Sequence, residues 1–323
     1  MHARFDVVAL LALTCSLLAG SAAAQRWPSK PIVIVTTGAS EAVPRILGEE
    51  ISRQLGQNIV VEAHPGASGT IAAEYTARVA PDGYTFLNAT SALMAAPNTF
   101  KVSYDIQKDF VPVSLLATAP FILVAHPSLP VQSLADLIAL AKRRPGELNF
   151  SATSPGSSSD ITAELFKSEA GIDIVHVAYK TMGAALLDVL AGQVQLCMSA
   201  GPNAVSQIKA GKIRPLAVST PKRSIVLPQV PTFVELGYPK VALTAWYGLL
   251  APAGTPMPIV ARMSTELLDA MRKPEIREKL LQAAVEPVGD TPDEFRAFLK
   301  EDLDRWAEAA KIADMKKRSA RRR

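Results

Sequence analysis

The sequence predicts an α/β fold with a mainly parallel sheet, and two observations support this prediction. Short β-branched segments alternate with helical segments along most of the chain, beginning with a strand at residues 30–35. Loops rich in Gly, Ser and Thr join several of these strands to the next helix, the first at residues 36–41. Repeated β-loop-α units favour parallel strands with helices on the faces of the sheet. Ligands bind such sheets at the carboxyl ends of the strands, where these loops gather.

The first part of the chain contains three such units. Apolar residues at helical spacing follow the first strand, and Gly56 ends this predicted helix. Two further strands lead into glycine- or serine-containing loops at residues 64–70 and 88–91. Strands are predicted at residues 30–35, 58–62 and 84–87, and helices at residues 46–55 and 71–79.

A second set of β/α units begins near residue 120 and includes a short strand that ends near Asn149. A segment interrupted by prolines then returns through residues 227–252. Trp306, in the last predicted helix, has the apolar neighbours of a core residue. The other strands are predicted at residues 121–125, 174–177, 194–198 and 214–218, and the helices at residues 133–143, 161–170, 184–191, 258–271, 275–284 and 292–313.

The first 24 residues have the features of a secretory signal peptide. Arg4 provides a charged start, residues 7–19 form an apolar core, and residues 22–24 form an Ala-Ala-Ala cleavage site. No later apolar segment reaches the ~18 residues that a membrane-spanning helix needs. We therefore expect an exported protein that begins near Gln25. Cys197 is then its only cysteine, so no internal disulfide is expected.

The formal net charge of +4 originates at the end of the chain. Residues 316–323 contain six Lys or Arg side chains, and we expect them to form a disordered, solvated basic tail. Without this tail and the signal peptide, the folded body has a net charge of about −2. Aromatic residues make up 6% of the chain, which is too few for a surface that stacks bases. Nucleic acid is therefore not a predicted partner.

The residue types needed for catalysis or metal binding form no recognisable motif. His64, His126 and His176 lie far apart, and no group of His, Cys and Asp has metal-site spacing. The sequence contains no nucleophile elbow, P-loop or dinucleotide-binding loop. His176 falls in a predicted strand, where we expect it to be packed and hydrogen-bonded. The sequence predicts a protein that is not an enzyme, with no catalytic residue, metal or cofactor.

Small hydroxyl residues are concentrated in loops, several of which precede helices, at residues 36–41, 66–70, 90–91, 153–160, 180–183 and 199–201. Backbone N–H groups at helix starts, together with hydroxyl groups, can hold a small anion without a basic side chain. The same residue types are also common in ordinary turns. The pattern Ser-x-x-Asp at residues 157–160 also fits a capping box, in which both side chains satisfy the helix's own N–H groups. The residues alone leave both interpretations open.

Short motifs over nearly the whole mature chain match one family in order and spacing. They include Trp-Pro-Ser-Lys-Pro-Ile at residues 27–32, Pro-Gly-Ala-Ser-Gly at 65–69, Ala-Pro-Asp-Gly-Tyr-Thr at 80–85, His-Val-Ala-Tyr-Lys at 176–180 and Trp-Tyr-Gly-Leu-Leu-Ala-Pro at 246–252. The chain resembles the Bug (TctC-like) substrate-binding proteins of tripartite tricarboxylate transporters. This resemblance implies a two-domain type II periplasmic binding protein of the Venus flytrap kind, with a hinge and an interdomain ligand cleft.

The resemblance also implies a division of the chain and a function. Domain 1 would comprise residues 25–119 and 244–315, and domain 2 would comprise residues 120–243. The implied function is capture of a small organic acid, a carboxylate, in the periplasm by domain closure. The partners would be membrane permease subunits, with the binding protein acting as a monomer. An alternative function is that of a sensor subunit that presents a bound metabolite to a membrane receptor kinase.

The resemblance implies that the loops at helix starts bind the ligand through backbone N–H and hydroxyl groups. The chain departs from the family pattern in several of these loops. Residues 36–41 are shorter than the family loop and lack its pair of glycines, Asp160 replaces a histidine, and Ser199 replaces an acidic residue. The predicted ligand-binding residues are Thr37, Gly38, Ser40, Glu41, Thr90, Ser91, Thr153, Ser154, Gly156, Ser157, Ser158, Asp160, Thr181 and Ser199.

Overall fold

The computed structural model describes residues 27–38, 41–98 and 100–320. Within these ranges, ten strands form one sheet, and helices connect most of them. The predicted signal peptide lies outside the described residues. The strands are β1 Ile32–Thr36, β2 Ile59–Ala63, β3 Thr85–Thr90, β4 Phe110–Ala125, β5 Asn149–Thr153, β6 Val175–Tyr179, β7 Leu196–Ala200, β8 Arg214–Val218, β9 Thr244–Pro252 and β10 Glu286–Pro287. The helices are α1 Ala42–Leu55, α2 Thr70–Arg78, α3 Ala92–Ala95, α4 Leu134–Arg143, α5 Ser158–Ala170, α6 Met182–Leu190, α7 Gly201–Lys209, α8 Met257–Arg272, α9 Pro274–Gln282 and α10 Pro292–Ala320.

Helix ends follow the local chemistry of the sequence. Gly56 and Gly171 adopt left-handed backbone conformations, and each ends the helix before it, as predicted. At the start of α4, Ser133 accepts a hydrogen bond from the Asp136 N–H, and the Asp136 carboxylate accepts one from the Ser133 N–H. Helix α5 begins at Ser158 and has Ser157 as its N-cap residue, as the Ser-x-x-Asp pattern indicated.

The sheet consists of two parts, which we call lobe 1 and lobe 2. Lobe 1 contains the parallel strands β2, β1 and β3, followed by the antiparallel strand β9. Lobe 2 contains β7, β5 and β6, which are parallel to one another, and also β8. The carboxyl ends of the parallel strands in both lobes lead into the serine- and threonine-rich loops.

Strand β4 runs from lobe 1 into lobe 2. From Phe110 to Pro120 it pairs with β9, and from Phe121 to Ala125 it pairs with β7 and β8. The sequence indicated only residues 121–125 as a clear strand, because prolines interrupt the earlier part and remove backbone donors. The change of partner at Pro120 coincides with the expected boundary between residues 119 and 120.

Helix α10 contacts elements of both lobes. It packs against β4 and α3, and it also packs against α5 of lobe 2. Trp306 on α10 is fully buried, and its ring meets the ring of Phe121 edge-to-face with 6.1 Å between centroids. The predicted core role of Trp306 is therefore confirmed. Helix α10, which the expected division assigns to domain 1, thus also contacts lobe 2.

The end of the chain differs from the predicted disordered tail. Helix α10 continues to Ala320, so residues 316–320 have a helical backbone. Lys and Arg are good helix formers, and positive charges are favourable at the end of a helix. Of the helices described, none is long and apolar enough to cross a membrane. The described residues also contain no cluster of three or more His, Cys, Asp or Glu side chains that could hold a metal ion.

Candidate functional site

A cavity of about 460 Å³ opens between the two lobes. Lobe 1 contributes the loops that follow β1, β2 and β3, and lobe 2 contributes those that follow β5, β6 and β7. Strands β4 and β9 provide the wall that joins them. The lining residues are Thr37, Gly38, Pro65, Gly66, Ala67, Ser68, Gly69, Thr90, Ser91, Ala92, Phe100, Phe121, Thr153, Ser154, Ser157, Ser158, Ser159, Lys180, Thr181, Met182, Gly183, Ala200, Asn203, Ala245, Trp246 and Tyr247.

Two buried hydroxyl groups form part of the lobe 1 wall. Thr37 is 7% exposed and Thr90 is 6% exposed, and both line the cavity. Among the described residues, neither Thr37 Oγ1 nor Thr90 Oγ1 has a hydrogen-bond partner. A buried hydroxyl without a partner is destabilising, and such groups are often satisfied by a ligand or by water. Both residues line the cavity, and the two oxygens themselves are almost fully buried in its wall.

The loop after β2 has a strained backbone beside the cavity. Ala67 and Ser68 adopt positive φ angles of 44° and 56°, which residues with a Cβ seldom adopt. The next residue, Gly69, approaches Thr37 so closely that a Cβ on Gly69 would lie 2.6 Å from Thr37 Cγ2. Strained backbone segments of this kind often occur at ligand-binding sites.

Three helices of lobe 2 begin at the cavity. Ser157 is the N-cap residue of α5 and accepts from the Asp160 N–H, and Thr181 is the N-cap residue of α6 and accepts from the Ala184 N–H. Asn203 lies in the first turn of α7 and also lines the cavity. The unpaired N–H groups and the dipole of each helix make these three starts favourable for an anion.

The charged groups of the cavity wall favour the same kind of ligand. Lys180 is the one charged side chain among the described lining residues. It is exposed and immediately precedes the N-cap residue of α6. No described lining residue is Asp or Glu, so nothing in the described wall repels an anion by its formal charge.

The wall between the lobes is largely aromatic. Trp246 and Tyr247 of β9 line the cavity beside Phe121 of β4. The ring of Trp246 packs edge-to-face against Phe295 with 5.7 Å between centroids, and its indole N–H donates to Asp302. These contacts restrict the ring, and the wall can pack against the apolar part of a ligand.

Asp160 and Ser157 both stabilise the start of α5, but only Ser157 lines the cavity. Asp160 is fully buried behind the wall, where one carboxylate oxygen accepts from the Gly156 N–H at 2.7 Å. The other oxygen lies 2.9 Å from Nδ1 of His176. His176 also stacks on Phe150 with 4.8 Å between centroids, so its predicted packing is confirmed.

Cys197 lies behind the cavity wall and is fully buried. Its Sγ lies 3.8 Å from the Met182 Sδ, and Met182 lines the cavity. Burial raises the pKa of the Cys197 thiol to about 12, so the thiol stays protonated at neutral pH. A protonated, buried thiol is a poor nucleophile, and Cys197 therefore acts as a small apolar core residue.

Nine of the predicted ligand-binding residues line the cavity, namely Thr37, Gly38, Thr90, Ser91, Thr153, Ser154, Ser157, Ser158 and Thr181. Four do not. Glu41 pairs instead with Arg45 at the surface, and Ser199 is buried in β7 because alternate strand residues face opposite sides. The Gly156 N–H donates a hydrogen bond to the Asp160 carboxylate, and both residues lie behind the wall. Ser40 lies outside the described residues.

Sequence reasoning missed several lining residues that belong to elements it had found. The loop at residues 65–69 was recognised as glycine-rich, but its residues were not assigned to the site. Lys180 lies in the predicted loop at residues 180–183, and Asn203 lies two residues after the loop at 199–201. Their position after a strand was the available signal. Phe121, Trp246 and Tyr247 had no comparable signal, because hydrophobic strand residues are ordinarily core residues.

The family model described as "Tripartite tricarboxylate transporter family receptor" matches residues 43–314. The protein BugT of Bordetella pertussis is 34% identical over 297 residues, covering 90% of this chain and 91% of that protein. A solved R. palustris protein with adipate is 34% identical with a TM-score of 0.82, covering 89% of this chain and 98% of its own. MatC from Rhodopseudomonas palustris with bound malate is 29% identical with a TM-score of 0.79. The match covers 88% of this chain and 100% of the MatC chain.

These comparisons agree with the sheet architecture and with the sequence motifs. Solved periplasmic binding proteins share the fold over most of the chain, which confirms the predicted two-domain α/β architecture. The matched region of the family model includes strands from both lobes. The chain therefore belongs to the TctC, or Bug, family of tripartite tricarboxylate transporter receptors, which are periplasmic binding proteins.

Proposed function

We propose that this protein captures a small carboxylate in the periplasm by closing its two lobes over the cavity. The lobes would be residues 25–119 with 244–315, and residues 120–243. The protein binds the acid without covalent chemistry and delivers it, as a monomer, to membrane permease subunits. The site consists of the predicted residues that line the cavity, together with the loop at residues 65–69, Lys180 and Asn203.

The arrangement of charge in the cavity is the observation that carries this proposal. Three helix starts converge on the lobe 2 side, and Lys180 adds a full positive charge there. On the lobe 1 side, Thr37 and Thr90 have hydroxyl groups without described partners. A carboxylate accepts several hydrogen bonds and carries a negative charge, so it satisfies both sides of the cavity.

The relatives support the same ligand class. Two similar proteins were solved with the small carboxylates adipate and malate, and the fold is shared over nearly their entire length. The cavity of about 460 Å³ has the size typical of small-molecule sites. Delivery to a permease is supported by the family description, which names a transporter receptor.

A ligand screen tests the carboxylate proposal. Thermal unfolding of the mature protein is measured with malate, adipate and a panel of aromatic and tricarboxylic acids, and affinities are then measured by isothermal titration calorimetry. A ligand present at 100 times its Kd should stabilise the protein by about 2.7 kcal/mol. Adipamide, the neutral diamide of adipate, is the matched control, and we expect it not to bind.

Two outcomes would contradict the proposal. Equal binding of adipate and adipamide would show that the cavity does not recognise the carboxylate charge. Stabilisation by cationic or neutral solutes, with none by any acid, would show that the ligand class is wrong. The delivery step is tested separately, by deleting the gene and measuring cellular uptake of the acid that binds best. Unchanged uptake would argue against a transport role.

A further inference from the structure

One buried carboxylate joins two cavity segments of lobe 2. Asp160 accepts from the N–H of Gly156, which lies in the loop between β5 and α5. It also contacts His176, which lies on β6 four residues before Lys180. Gly156 has a φ of 80°, so this loop turns through a left-handed conformation at the point where Asp160 holds it. The cavity-lining side chains of the loop, Ser154 and Ser157, flank that residue on either side.

The geometry also defines what His176 contributes. His176 Nδ1 lies 2.9 Å from Asp160 Oδ1, which is within ion-pairing distance when the imidazole is protonated. Phe150 is opposite His176 in the strand register and stacks on its ring with an interplanar angle of 17°. The imidazole is thereby fixed between a neighbouring strand and a helix. The nearest charged groups of α5 beyond Asp160, Glu164 and Lys167, pair with each other.

We propose that Asp160 and His176 are positioning residues for the lobe 2 half of the ligand site. Asp160 holds the Gly156 amide and so presents Ser154, Ser157 and Ser158 to the ligand, and His176 orients the Asp160 carboxylate. The imidazole also places a polar nitrogen 2.9 Å from one oxygen of this buried carboxylate, whose charge would otherwise be costly to bury. This inference rests on the proposed carboxylate-binding function.

The chain contains a matched cap that has no part in the cavity. In α4, Asp136 stands at the same helix position as Asp160 and accepts from the N–H of Gln132, the residue before the N-cap. In α5, Asp160 accepts from the N–H of the corresponding residue, Gly156. The two caps differ in that Asp136 lies at the surface and lines no part of the cavity. A purely capping role therefore predicts that neither substitution changes the ligand affinity of the folded protein.

The test measures adipate and malate affinity by calorimetry in the mature protein, with circular dichroism and thermal unfolding to verify the fold. We expect Asp160→Ala to weaken binding by about tenfold or more, because the Gly156 amide loses its partner. Asp160→Asn should stay within about threefold of the wild type, since its amide oxygen still accepts from Gly156. Asp136→Ala should leave the affinity unchanged.

His176 provides an independent pair of variants. His176→Leu removes the polar contact with Asp160, and we expect about tenfold weaker binding. His176→Asn places an amide N–H near the position of Nδ1, so we expect affinity within about threefold of the wild type. If Asp160→Ala does not fold, the comparison of these variants with Asp160→Asn still decides the question. A purely structural role would not make adipate and malate affinity depend on which polar groups remain at positions 160 and 176.

The outcomes separate this inference from the proposed function. If the wild-type protein binds neither acid nor any other carboxylate, the proposed function fails and the positioning role fails with it. If the wild type binds but folded Asp160→Ala and His176→Leu bind equally well, only the positioning role is overturned. Binding by Asp160→Asn as weak as that of Asp160→Ala would also overturn it, because the amide oxygen would then not replace the carboxylate.

Discussion

The indole N–H of Trp246 donates a hydrogen bond of 2.7 Å to the buried carboxylate of Asp302. This bond joins β9, which forms part of the cavity wall, to α10. Helix α10 also packs against α5, whose start forms the lobe 2 side of the cavity. The Trp246–Asp302 bond therefore attaches the helix that contacts both lobes to the wall between them.

Asp302 leads to a prediction about pH. Burial raises the pKa of this carboxyl, and the Trp246 hydrogen bond and the nearby Arg305 charge offset the shift only in part. The folded protein thus holds this proton more tightly than the unfolded chain. The contribution of the group to stability is present below the ordinary carboxyl pKa and is lost as pH rises through the folded-state pKa.

Asp302→Asn removes this titration. Compared with the wild type, we expect the variant to gain in relative unfolding free energy as pH rises from about 4 to about 7. Urea unfolding of both proteins across this range measures the difference. A constant difference between the two proteins at every pH would show that Asp302 has the same pKa in the folded and unfolded states.

Ser157 has two roles in the structure, and substitution should affect both. Ser157→Ala removes the N-cap of α5, which we expect to lower the unfolding free energy by about 1 kcal/mol. It also removes a cavity hydroxyl, so adipate should bind about fivefold to tenfold more weakly. Ser133→Ala removes the equivalent cap of α4 away from the cavity and is the control. Ser133→Ala should lower the unfolding free energy by a similar amount and leave the adipate affinity measured by calorimetry unchanged. Equal affinities of both variants would assign Ser157 to capping only.

Substitution of Thr90 should weaken ligand binding without lowering the stability of the protein. Thr90→Val replaces a buried hydroxyl that lacks a described partner with a methyl group of similar size. We expect unchanged or slightly higher unfolding free energy, because a buried unsatisfied group is removed. Adipate affinity should fall about tenfold. Thr76→Val is the control, because Thr76 Oγ1 donates to the Ala72 carbonyl and does not line the cavity. A loss of stability without a loss of affinity at Thr90 would remove this hydroxyl from the site.

Lys180 should contribute through its charge. We expect Lys180→Gln to weaken adipate binding about threefold to tenfold at low salt, with a smaller difference at high salt because ions screen an exposed charge. Calorimetry at two ionic strengths measures this effect. Lys142→Gln changes an exposed lysine on α4 that does not line the cavity, and its affinity should equal that of the wild type. If Lys142→Gln reduced affinity as much as Lys180→Gln, the effect would reflect net charge instead of a local contact.

Much of the fold could be predicted because its signals are local. The β-loop-α alternation, the helix ends at Gly56 and Gly171 and the core role of Trp306 are all present in the structure. The extent of β4 could not be predicted in this way. Its proline-interrupted part is a strand only because β9, more than 120 residues later in the chain, pairs with it.

The cavity lining was predictable where loop chemistry alone marked it. Thr37, Thr90 and Ser157 lie in polar loops at strand ends, and each lines the cavity. Asp160 was assigned to the site because it belongs to the same polar loop as Ser157. The Asp160 carboxylate, however, contacts Gly156 and His176 and does not line the cavity.

The sequence by itself determined the family, the alternation of strands and helices, and the loops with anion-binding character. These properties depend on short-range periodicity, capping chemistry and motif order, which a single chain displays directly. Only the tertiary structure decided that Lys180 and Trp246 line one cavity and that Asp160 lies behind its wall. The physical reason is that strand pairing brings distant loops to one edge of the sheet, and side-chain direction depends on the contacts made there.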